Sequence, residues 1–307
     1  MKYILKIPAG HEKSVFIVSV SGGKDSAALA AEMKRLAAET GIEVRYVFAD
    51  TGWEAPETYE YLATMERVLG IVIDRVGFPG GMRAKIRERA GFPARLQRWC
   101  TSELKVEPLR AYHARVADGL GVDTVSVVGI RAEESESRAR MLSFEDDERW
   151  GGYVWRPLID WAIGDVLAAH HRAGLPVNPL YKLGHGRVGC WPCIYSSTEE
   201  VRLWAEHDPA SVREVAALEI ECETLRADRN AETPGRYAHA TASFFQARES
   251  KVDKTSGKRV YLPVHVDKVV EWSKTARGGK QLKLIRESPD SGCFRWGMCE
   301  PPEKGDE

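Results

Sequence analysis

Residues 15–26 of the chain read VFIVSVSGGKDS, and this stretch decides the fold. Its first half, VFIVSV (15–20), is a short apolar run rich in β-branched residues, which predicts a strand buried in a parallel sheet. The segment after Ser26, AALAAEMKRLAAET (27–40), has the composition and the period of an amphipathic helix. The sequence SGGKDS (21–26) is therefore predicted to form a glycine-rich loop between a strand and a helix.

A loop of this kind is suited to holding phosphate. Gly22 and Gly23 let the backbone come close to an anion, and the following helix presents unpaired N–H groups and the positive end of its dipole. Lys24 adds a positive charge, and Ser21 and Ser26 add hydroxyl donors. The loop is not a Walker A motif, because the four-residue spacer before Gly-Lys is absent. We expect a phosphate site here; the plain alternative is a glycine-rich turn without a ligand.

Strand-like and helix-like segments alternate along the first half of the chain. Three further strands are predicted at 44–50, 71–76 and 124–130, with helices at 56–69 and 103–118. This alternation predicts an α/β fold built on a doubly wound parallel sheet. Ligands of such sheets bind beyond the carboxyl ends of the strands. The candidate ligand-binding residues that follow the predicted strands are Asp50, Thr51, Gly129 and Arg131.

The composition excludes several classes of protein. The chain has 307 residues, of which 43% are hydrophobic and 29% charged, so a packed core is expected and wholesale disorder is not. Lys and Arg number 44 against 45 Asp and Glu, which argues against bulk binding of nucleic acid through net charge. The sequence has no apolar run of the roughly 20 residues that a membrane span needs. Its first residues are too charged for a signal peptide, so we expect a cytoplasmic protein without membrane contact.

Five of the six cysteines are candidate metal ligands. Cys222 lies in a helix-like segment and is expected to be a buried apolar residue. In a reducing compartment a Cys-x-x-Cys pair with further cysteines favours a metal or cluster site over disulfides. Thiolates alone do not distinguish zinc from an iron–sulfur cluster. The candidate ligands are Cys100, Cys190, Cys193, Cys293 and Cys299.

Six further motifs follow the glycine-rich loop in a fixed order. They are DTGW (50–53) with PET (56–58), RWCT (98–101) with LK (104–105), GIRAEES (129–135) with Arg138, RPLIDW (156–161) with Asp165, NPLY (178–181) and RVGCWPC (187–193). With SGGKDS, they resemble the phosphoadenosine phosphosulfate (PAPS) reductase family in its broad sense, within the adenine nucleotide alpha-hydrolase superfamily. That group includes sulfonucleotide reductases, the small subunit of ATP sulfurylase and the ATPase of DNA phosphorothioation systems. The resemblance covers roughly residues 14–200.

The resemblance implies an enzyme that cleaves ATP to AMP and pyrophosphate and adenylates an acceptor, with ATP and Mg²⁺, or PAPS, as ligand. It implies that Lys24, Asp25 and Arg131 are catalytic. Nucleotide binding would fall to Ser21, Gly22, Gly23, Lys24, Asp25, Ser26, Asp50, Thr51, Gly129 and Arg131, and binding of a substrate anion to Arg98, Lys105 and Arg138. The plain alternatives are a turn or cap role for Asp50 and a solvated charged face for Arg131 and Arg138.

Two departures from the family bear on function. Iron–sulfur sulfonucleotide reductases carry a double cysteine where this chain has only Cys100, so a [4Fe–4S] cluster would need a fourth ligand from Cys293 or Cys299; zinc is the alternative. Reductases of preformed PAPS often have a degraded phosphate loop, whereas SGGKDS is intact. We therefore expect ATP cleavage, with PAPS or adenylyl-sulfate reduction as the alternative. A non-catalytic nucleotide-binding subunit with structural zinc is a further alternative.

The second half of the chain is expected to be helical with one hairpin. Helices are predicted at 161–174, 198–206 and 209–229, and a hairpin turns at Ser256-Gly257. We expect a nucleotide-binding domain at 1–200 and a C-terminal region at 201–307 that contributes to the cysteine site.

The basic residues between 83 and 89 are expected in a solvated loop, with a nucleic-acid contact as the alternative. The expected partners are an adenine nucleotide, a sulfur- or electron-donor protein and a nucleic-acid substrate.

Overall fold

The computed structural model describes residues 5–147, 152–235, 242–252, 257 and 259–275. Its strands are β1 (Val15–Val20), β2 (Val44–Ala49), β3 (Ile73–Val76), β4 (Thr124–Val128), β5 (Phe144–Asp147), β6 (Gly152–Trp155), β7 (Arg248–Val252) and β8 (Arg259–Pro263). Its helices are α1 (Lys24–Thr40), α2 (Pro56–Leu69), α3 (Gly81–Arg89), α4 (Trp99–Thr101), α5 (Glu107–Leu120), α6 (Glu136–Ala139), α7 (Ile163–Arg172), α8 (Thr198–His207), α9 (Pro209–Glu232) and α10 (Val266–Ser273). None of the helices in these ranges is long and apolar enough to cross a membrane.

The central sheet has six strands in the order β3-β2-β1-β4-β6-β5. The first five are mutually parallel, and β5 joins the edge antiparallel to β6. This confirms the predicted doubly wound α/β fold. Strands β5 and β6 were not predicted, because the stretch FEDDERWGGYVW (144–155) has no continuous apolar run.

The apolar run of β1 is continuous because the strand is buried on both faces. Phe16 and Val18 face the core built with α1, whereas Val15 and Ile17 face the core built with α5. All four are at most 2% exposed. Fully burying side chains of this kind contributes about 1.5–3 kcal/mol each, so burial on both faces stabilises β1 within the sheet.

The chain divides into two compact units, each described by itself. Of the described residues, the first unit holds those up to Phe78 together with Glu103–Gly189, and includes the central sheet. The second unit holds Pro79–Ser102 and the described residues from Cys190 onward. The predicted division at residue 200 stays a prediction.

The second unit corrects one expectation. Residues 83–89 were expected in a solvated loop, but they lie in α3, which packs on α9. Arg83 Nη2 lies 2.8 Å from Glu214 Oε2, and Arg87 Nε lies 2.7 Å from Glu221 Oε1. The evenly spaced charges hid the helical period, which is carried only by the buried Met82 and its neighbour one turn later, Ile86.

A buried carboxylate ties the C-terminal elements of this unit together. Glu219 on α9 is fully buried, and it accepts the backbone N–H of Phe244 at 2.8 Å and of Val266 at 2.9 Å. Burial raises the pKa of Glu219, against the effect of those two N–H donors. The predicted hairpin is confirmed as β7 paired antiparallel to β8, while Ser256 lies outside the described residues.

Candidate functional site

The glycine-rich loop lies where the strand order of the sheet reverses. After β1 the chain continues to β2 and β3 on one side, whereas β4 pairs with β1 on the other side. The crevice outside the carboxyl ends of two such strands is the usual ligand site of doubly wound sheets. The loop Ser21–Gly23 and the segment after β4, which begins at Gly129, therefore meet at one position.

Gly129 makes this close approach feasible. A Cβ atom at Gly129 would lie 3.0 Å from the carbonyl oxygen of Asp25 and 3.1 Å from the backbone nitrogen of Ser26. The end of β4 therefore packs directly on the first turn of α1, with no room for a side chain.

The loop is held by its own hydrogen bonds. The backbone N–H of Ser21 donates to Ser26 Oγ at 3.1 Å, and Ser26 Oγ donates to the carbonyl of Gly23 at 3.0 Å. Gly22 has a φ of +73°, which a residue with a side chain rarely adopts. A Cβ atom there would also lie 2.8 Å from Thr58 Cγ2.

Two side chains from the NPLY motif form hydrogen bonds with the backbone of the loop and of the residue after it. Asn178 Nδ2 donates to the carbonyl of Gly22 at 3.1 Å, and Tyr181 Oη accepts the backbone N–H of Lys24 at 3.2 Å. Asn178 is fully buried and Tyr181 is 2% exposed, and burial raises the pKa of the tyrosine hydroxyl. The NPLY motif is recognisable in the sequence, but its role in holding the loop was not predicted.

His170 is a supporting residue that was not predicted from the sequence. It lies in the last turn of α7, and its Nε2 is 2.8 Å from the carbonyl oxygen of Lys24. Its Nδ1 is 3.1 Å from the carbonyl oxygen of Leu175, so the ring bridges α1 and the end of α7. Nothing in the local sequence distinguishes this histidine from the adjacent His171.

The three residues predicted to be catalytic are brought together. Lys24 Nζ lies 2.8 Å from Asp25 Oδ2, and Arg131 Nε lies 2.6 Å from Asp25 Oδ1. The three side chains are at most 12% exposed. Burial would lower the pKa of Arg131, but Asp25 and Glu133 outweigh that effect and raise it. Two cations therefore share one buried carboxylate beside the phosphate loop.

The predicted residues after β2 are engaged in a local turn. Asp50 Oδ1 accepts the N–H of Gly52 at 2.9 Å and the hydroxyl of Tyr59 at 2.8 Å. Thr51 Oγ1 donates to Glu54 Oε1 at 2.6 Å. These contacts are those of the turn alternative, and a nucleotide role for Asp50 and Thr51 stays a proposal.

The three predicted anion-binding residues belong to three different elements. Arg138 lies in α6 and pairs with Glu134. Lys105 lies in a π-helical segment, Ser102–Val106. Arg98 belongs to the second unit, where its guanidinium lies 5.2 Å from the centre of the Tyr195 ring.

Three of the predicted thiol ligands lie in the second unit. Cys100, Cys190 and Cys193 are partly exposed and form no disulfide. Cys193 Sγ accepts the backbone N–H of Tyr195 at 3.5 Å. Across the described ranges, however, no three His, Cys, Asp or Glu side chains gather closely enough to hold a metal ion. Cys293 and Cys299 lie outside the described residues.

The thiols are therefore chemically suited to zinc or iron, but their described arrangement does not form a metal site. The phosphate loop, in contrast, is complete within the first unit. It offers a fixed backbone, the start of a helix and two cations, which is a set of groups able to hold a polyphosphate and to neutralise charge on it.

Comparison with known proteins agrees with the motifs. The profile of the phosphoadenosine phosphosulfate reductase domain matches residues 15–196. An uncharacterised 37.8 kDa protein of Escherichia phage 186 is 29% identical over 339 residues, which span 94% of this chain and 98% of that protein. Adenosine 5′-phosphosulfate reductase of Allochromatium vinosum is 33% identical over 172 residues, but these cover only 52% of this chain and 63% of the reductase. The crystal structure of PAPS reductase from Candida auris in a phosphate complex matches with a TM-score of 0.42 at 20% identity, covering 57% of this chain and 81% of that one.

Proposed function

This chain belongs to the phosphoadenosine phosphosulfate reductase domain family, and on that basis we propose that it binds ATP at the loop Ser21–Ser26 and cleaves it to AMP and pyrophosphate, adenylating an acceptor. The observation that carries the proposal is the intact phosphate loop at the switch point of the sheet, with Lys24 and Arg131 both held on Asp25. A sheet of this class binds nucleotides at that position.

The loop would hold the β- and γ-phosphates. The φ of +73° at Gly22 and the two supports from Asn178 and Tyr181 fix the backbone before the nucleotide arrives. A fixed backbone matters because groups that are already oriented lose less entropy on binding. Lys24 and Arg131 would neutralise phosphate charge, and Mg²⁺ bound with the nucleotide would add to that neutralisation.

The reaction itself would be an in-line displacement at the α-phosphorus. An anionic oxygen of the acceptor forms the new bond to that phosphorus, and the bond to the oxygen that bridges the α- and β-phosphates breaks. Pyrophosphate leaves with the electron pair of that bond, and the acceptor carries the AMP group. The residues of the loop position the phosphates and stabilise the charge that builds up on the leaving pyrophosphate.

A second candidate function is reduction of a preformed sulfonucleotide. It is favoured by the 33% identity to adenosine 5′-phosphosulfate reductase, although the alignment covers less than two thirds of that enzyme. In this case the loop would bind the phosphates of adenylyl sulfate or PAPS, and the chemistry would occur at the sulfur. The intact SGGKDS sequence favours ATP over this alternative.

Calorimetric titrations of the full chain with ATP and Mg²⁺, with adenylyl sulfate and with PAPS would distinguish the two functions. The proposal expects ATP to bind at least about tenfold more tightly than either sulfonucleotide, a difference of about 1.4 kcal/mol. It also expects pyrophosphate and the adenylated acceptor to form in equal amounts when an acceptor is present, with AMP freed only when that adenylate is later hydrolysed or displaced. Tighter binding of a sulfonucleotide, with no pyrophosphate formed from ATP, would overturn the proposal in favour of the reductase.

Substitution of Lys24 tests whether the loop is the site. Lys24→Met should weaken ATP binding about tenfold or more, since it removes a charge-assisted contact to phosphate. Lys13→Met is the matched control, because Lys13 is exposed and lies just before β1. Equal ATP affinity in the two variants would place the nucleotide elsewhere.

We also propose that Cys100, Cys190 and Cys193 are ligands of a [4Fe–4S] cluster, with zinc as the alternative. The Cys-x-x-Cys spacing of Cys190 and Cys193, with Cys100 as a further thiol, supports a thiol-bound group. Because the described thiols do not form a three-ligand site, no step of the reaction above passes through such a group.

Metal analysis of anaerobically purified protein tests this part of the proposal separately. Iron and sulfide in about equal amounts would support the cluster, and zinc would support the alternative. The double variant Cys190→Ser with Cys193→Ser should lose the metal, whereas Cys222→Ser, at a buried position outside the site, should keep it. Purified protein with neither metal would contradict the assignment.

A further inference from the structure

An exposed cluster of guanidinium and aromatic groups lies in the second unit. The loop between α3 and α4 carries Arg95 and Arg98, and Tyr195 follows the Cys190–Cys193 segment. We call Arg95, Arg98 and Tyr195 the arginine–tyrosine cluster.

The geometry of the cluster centres on one ring. The Arg95 and Arg98 guanidinium carbons lie 5.5 Å and 5.2 Å from the centre of the Tyr195 ring, both within cation–π distance. Tyr195 Oη also donates to the backbone carbonyl of Arg95 at 3.0 Å. The tyrosine therefore fixes the loop and both cations at the same time.

The positive charge of the cluster has no acidic partner among the side chains that the structure describes. Within the described ranges, neither Arg95 nor Arg98 pairs with a carboxylate, in contrast to Arg83 and Arg87 of the same unit. Both guanidinium groups are exposed, and Tyr195 itself is 37% exposed. The N–H donors of two ordered guanidinium groups are thus left to bind an anion from outside the chain.

Apolar surface accompanies this charge. Leu96, between the two arginines in the sequence, is 99% exposed, and Tyr195 is 37% exposed. A small inorganic anion makes no favourable contact with an exposed leucine or an exposed aromatic ring. A single strand of nucleic acid can contact both the charges and the apolar groups, because it presents phosphates together with the flat faces of unpaired bases.

We propose that the arginine–tyrosine cluster binds single-stranded nucleic acid, with Arg95 and Arg98 on the phosphates and a base stacked on the exposed aromatic and guanidinium faces. The net charge of the whole chain is −1, so such binding would be local and would not come from a general positive field.

The cluster also lies next to a thiol. The backbone N–H of Tyr195 donates to Cys193 Sγ at 3.5 Å, so a base held at Tyr195 would be held beside Cys193. This inference goes beyond the proposed ATP chemistry, which concerns the first unit, and each of the two can fail without the other.

Fluorescence anisotropy of the full chain without added nucleotide tests the proposal. The probes are labelled single-stranded DNA and RNA oligonucleotides of the same sequence, about 20 nucleotides long, which exceeds the site size of typical single-strand binders. We expect saturable binding that weakens as salt is raised, with a log–log slope of about −0.7 for each phosphate contacted. The oligonucleotide that binds more tightly identifies the natural strand as DNA or RNA.

Variants separate stacking from charge. Tyr195→Ala should weaken binding about tenfold, whereas Tyr195→Phe should keep most of the affinity because the ring remains. Arg95→Gln should weaken binding and reduce the salt slope by about 0.7. Arg213→Gln, which removes an exposed arginine from α9 of the same unit, is the matched control and should change little.

Several results would overturn the proposal. They are absence of binding to either oligonucleotide, unchanged affinity in Tyr195→Ala with its thermal unfolding unchanged, and an equal loss of affinity in Arg213→Gln and Arg95→Gln. Displacement of the oligonucleotide by equimolar pyrophosphate would also count against it, since it would show a site for small anions. If the wild-type chain binds the oligonucleotide but does not cleave ATP, this inference stands and the proposed function is refuted.

Discussion

Arg131 and Asp25 are 106 positions apart in sequence, yet Arg131 Nε lies 2.6 Å from Asp25 Oδ1 at the point where the strand order of the sheet reverses. The contact joins the segment after β4 to the first turn of α1. It places a buried guanidinium beside the phosphate loop.

Loss of the Arg131 guanidinium should impair ATP cleavage. Arg131→Gln is expected to lower kcat/KM by about 100-fold, the effect of removing one preorganised donor from a site of developing charge. Arg140→Gln is the matched control, since the Arg140 side chain is 82% exposed. Steady-state rates of pyrophosphate release would check this, and equal rates in the two variants would contradict it.

Loss of the Tyr181 hydroxyl should loosen the phosphate loop. In Tyr181→Phe the backbone N–H of Lys24 would lose its acceptor in a buried setting, at a cost of about 1–3 kcal/mol in the free energy of unfolding. We expect the KM for ATP to rise as well. Urea unfolding and ATP titration would measure both effects, with Tyr153→Phe, on a partly exposed tyrosine of β6, as the control.

A side chain at Gly22 should be tolerated poorly for two separable reasons. Gly22→Ala would strain a φ of +73° and bring its Cβ to 2.8 Å from Thr58 Cγ2. We expect a loss of about 1–3 kcal/mol in the free energy of unfolding. Adding Thr58→Ser removes the second contact but not the strain, so the double variant should recover part of the loss. Full recovery would show that the backbone conformation costs nothing.

The stability of the first unit should depend on His113 between neutral and mildly acid pH. Burial lowers the pKa of His113 from 6.5 to about 4, and its Nδ1 lies 2.9 Å from Thr124 Oγ1. Because the pKa is lower in the folded than in the unfolded chain, protonation favours unfolding. The contribution of neutral His113 to the free energy of unfolding is complete above about pH 6.5 and is lost as the pH falls toward 4.

The size of this effect can be isolated by comparison. Between pH 7 and pH 5 the wild-type chain should lose about 2 kcal/mol more of its free energy of unfolding than His113→Asn does. Urea unfolding at the two pH values measures the difference. An identical pH dependence in both proteins would mean that His113 does not titrate in this way.

Much of the fold follows from the sequence because its signals are local. The run at 15–20 and the glycines at 22 and 23 specify β1 and the loop without reference to the rest of the chain. Helix α3 was missed because its buried face is carried by two residues, Met82 and Ile86, among many charges. Strands β5 and β6 were missed because a short strand at an edge needs little apolar sequence.

The candidate site could be predicted only in part. Lys24 and Asp25 are recognisable in the motif, but their shared contact with Arg131 depends on the order of the strands. The supports from Asn178 and His170 depend on tertiary packing, since nothing in the adjacent sequence shows which backbone group each will reach. Contacts over such separations are set by topology, and periodicity does not encode them.

The order of the sheet also bears on how the protein behaves at high concentration. Its two edge strands are β3 and β5, each of only four residues, and both carry charge: Asp74 and Arg75 on β3, Glu145 and Asp146 on β5. An unpaired edge is a template on which a strand of another molecule can add, and this addition starts many aggregates. Short edges with charged side chains oppose it. The same strands that contribute least to the core thus help to keep the chains of a concentrated solution from joining sheet to sheet.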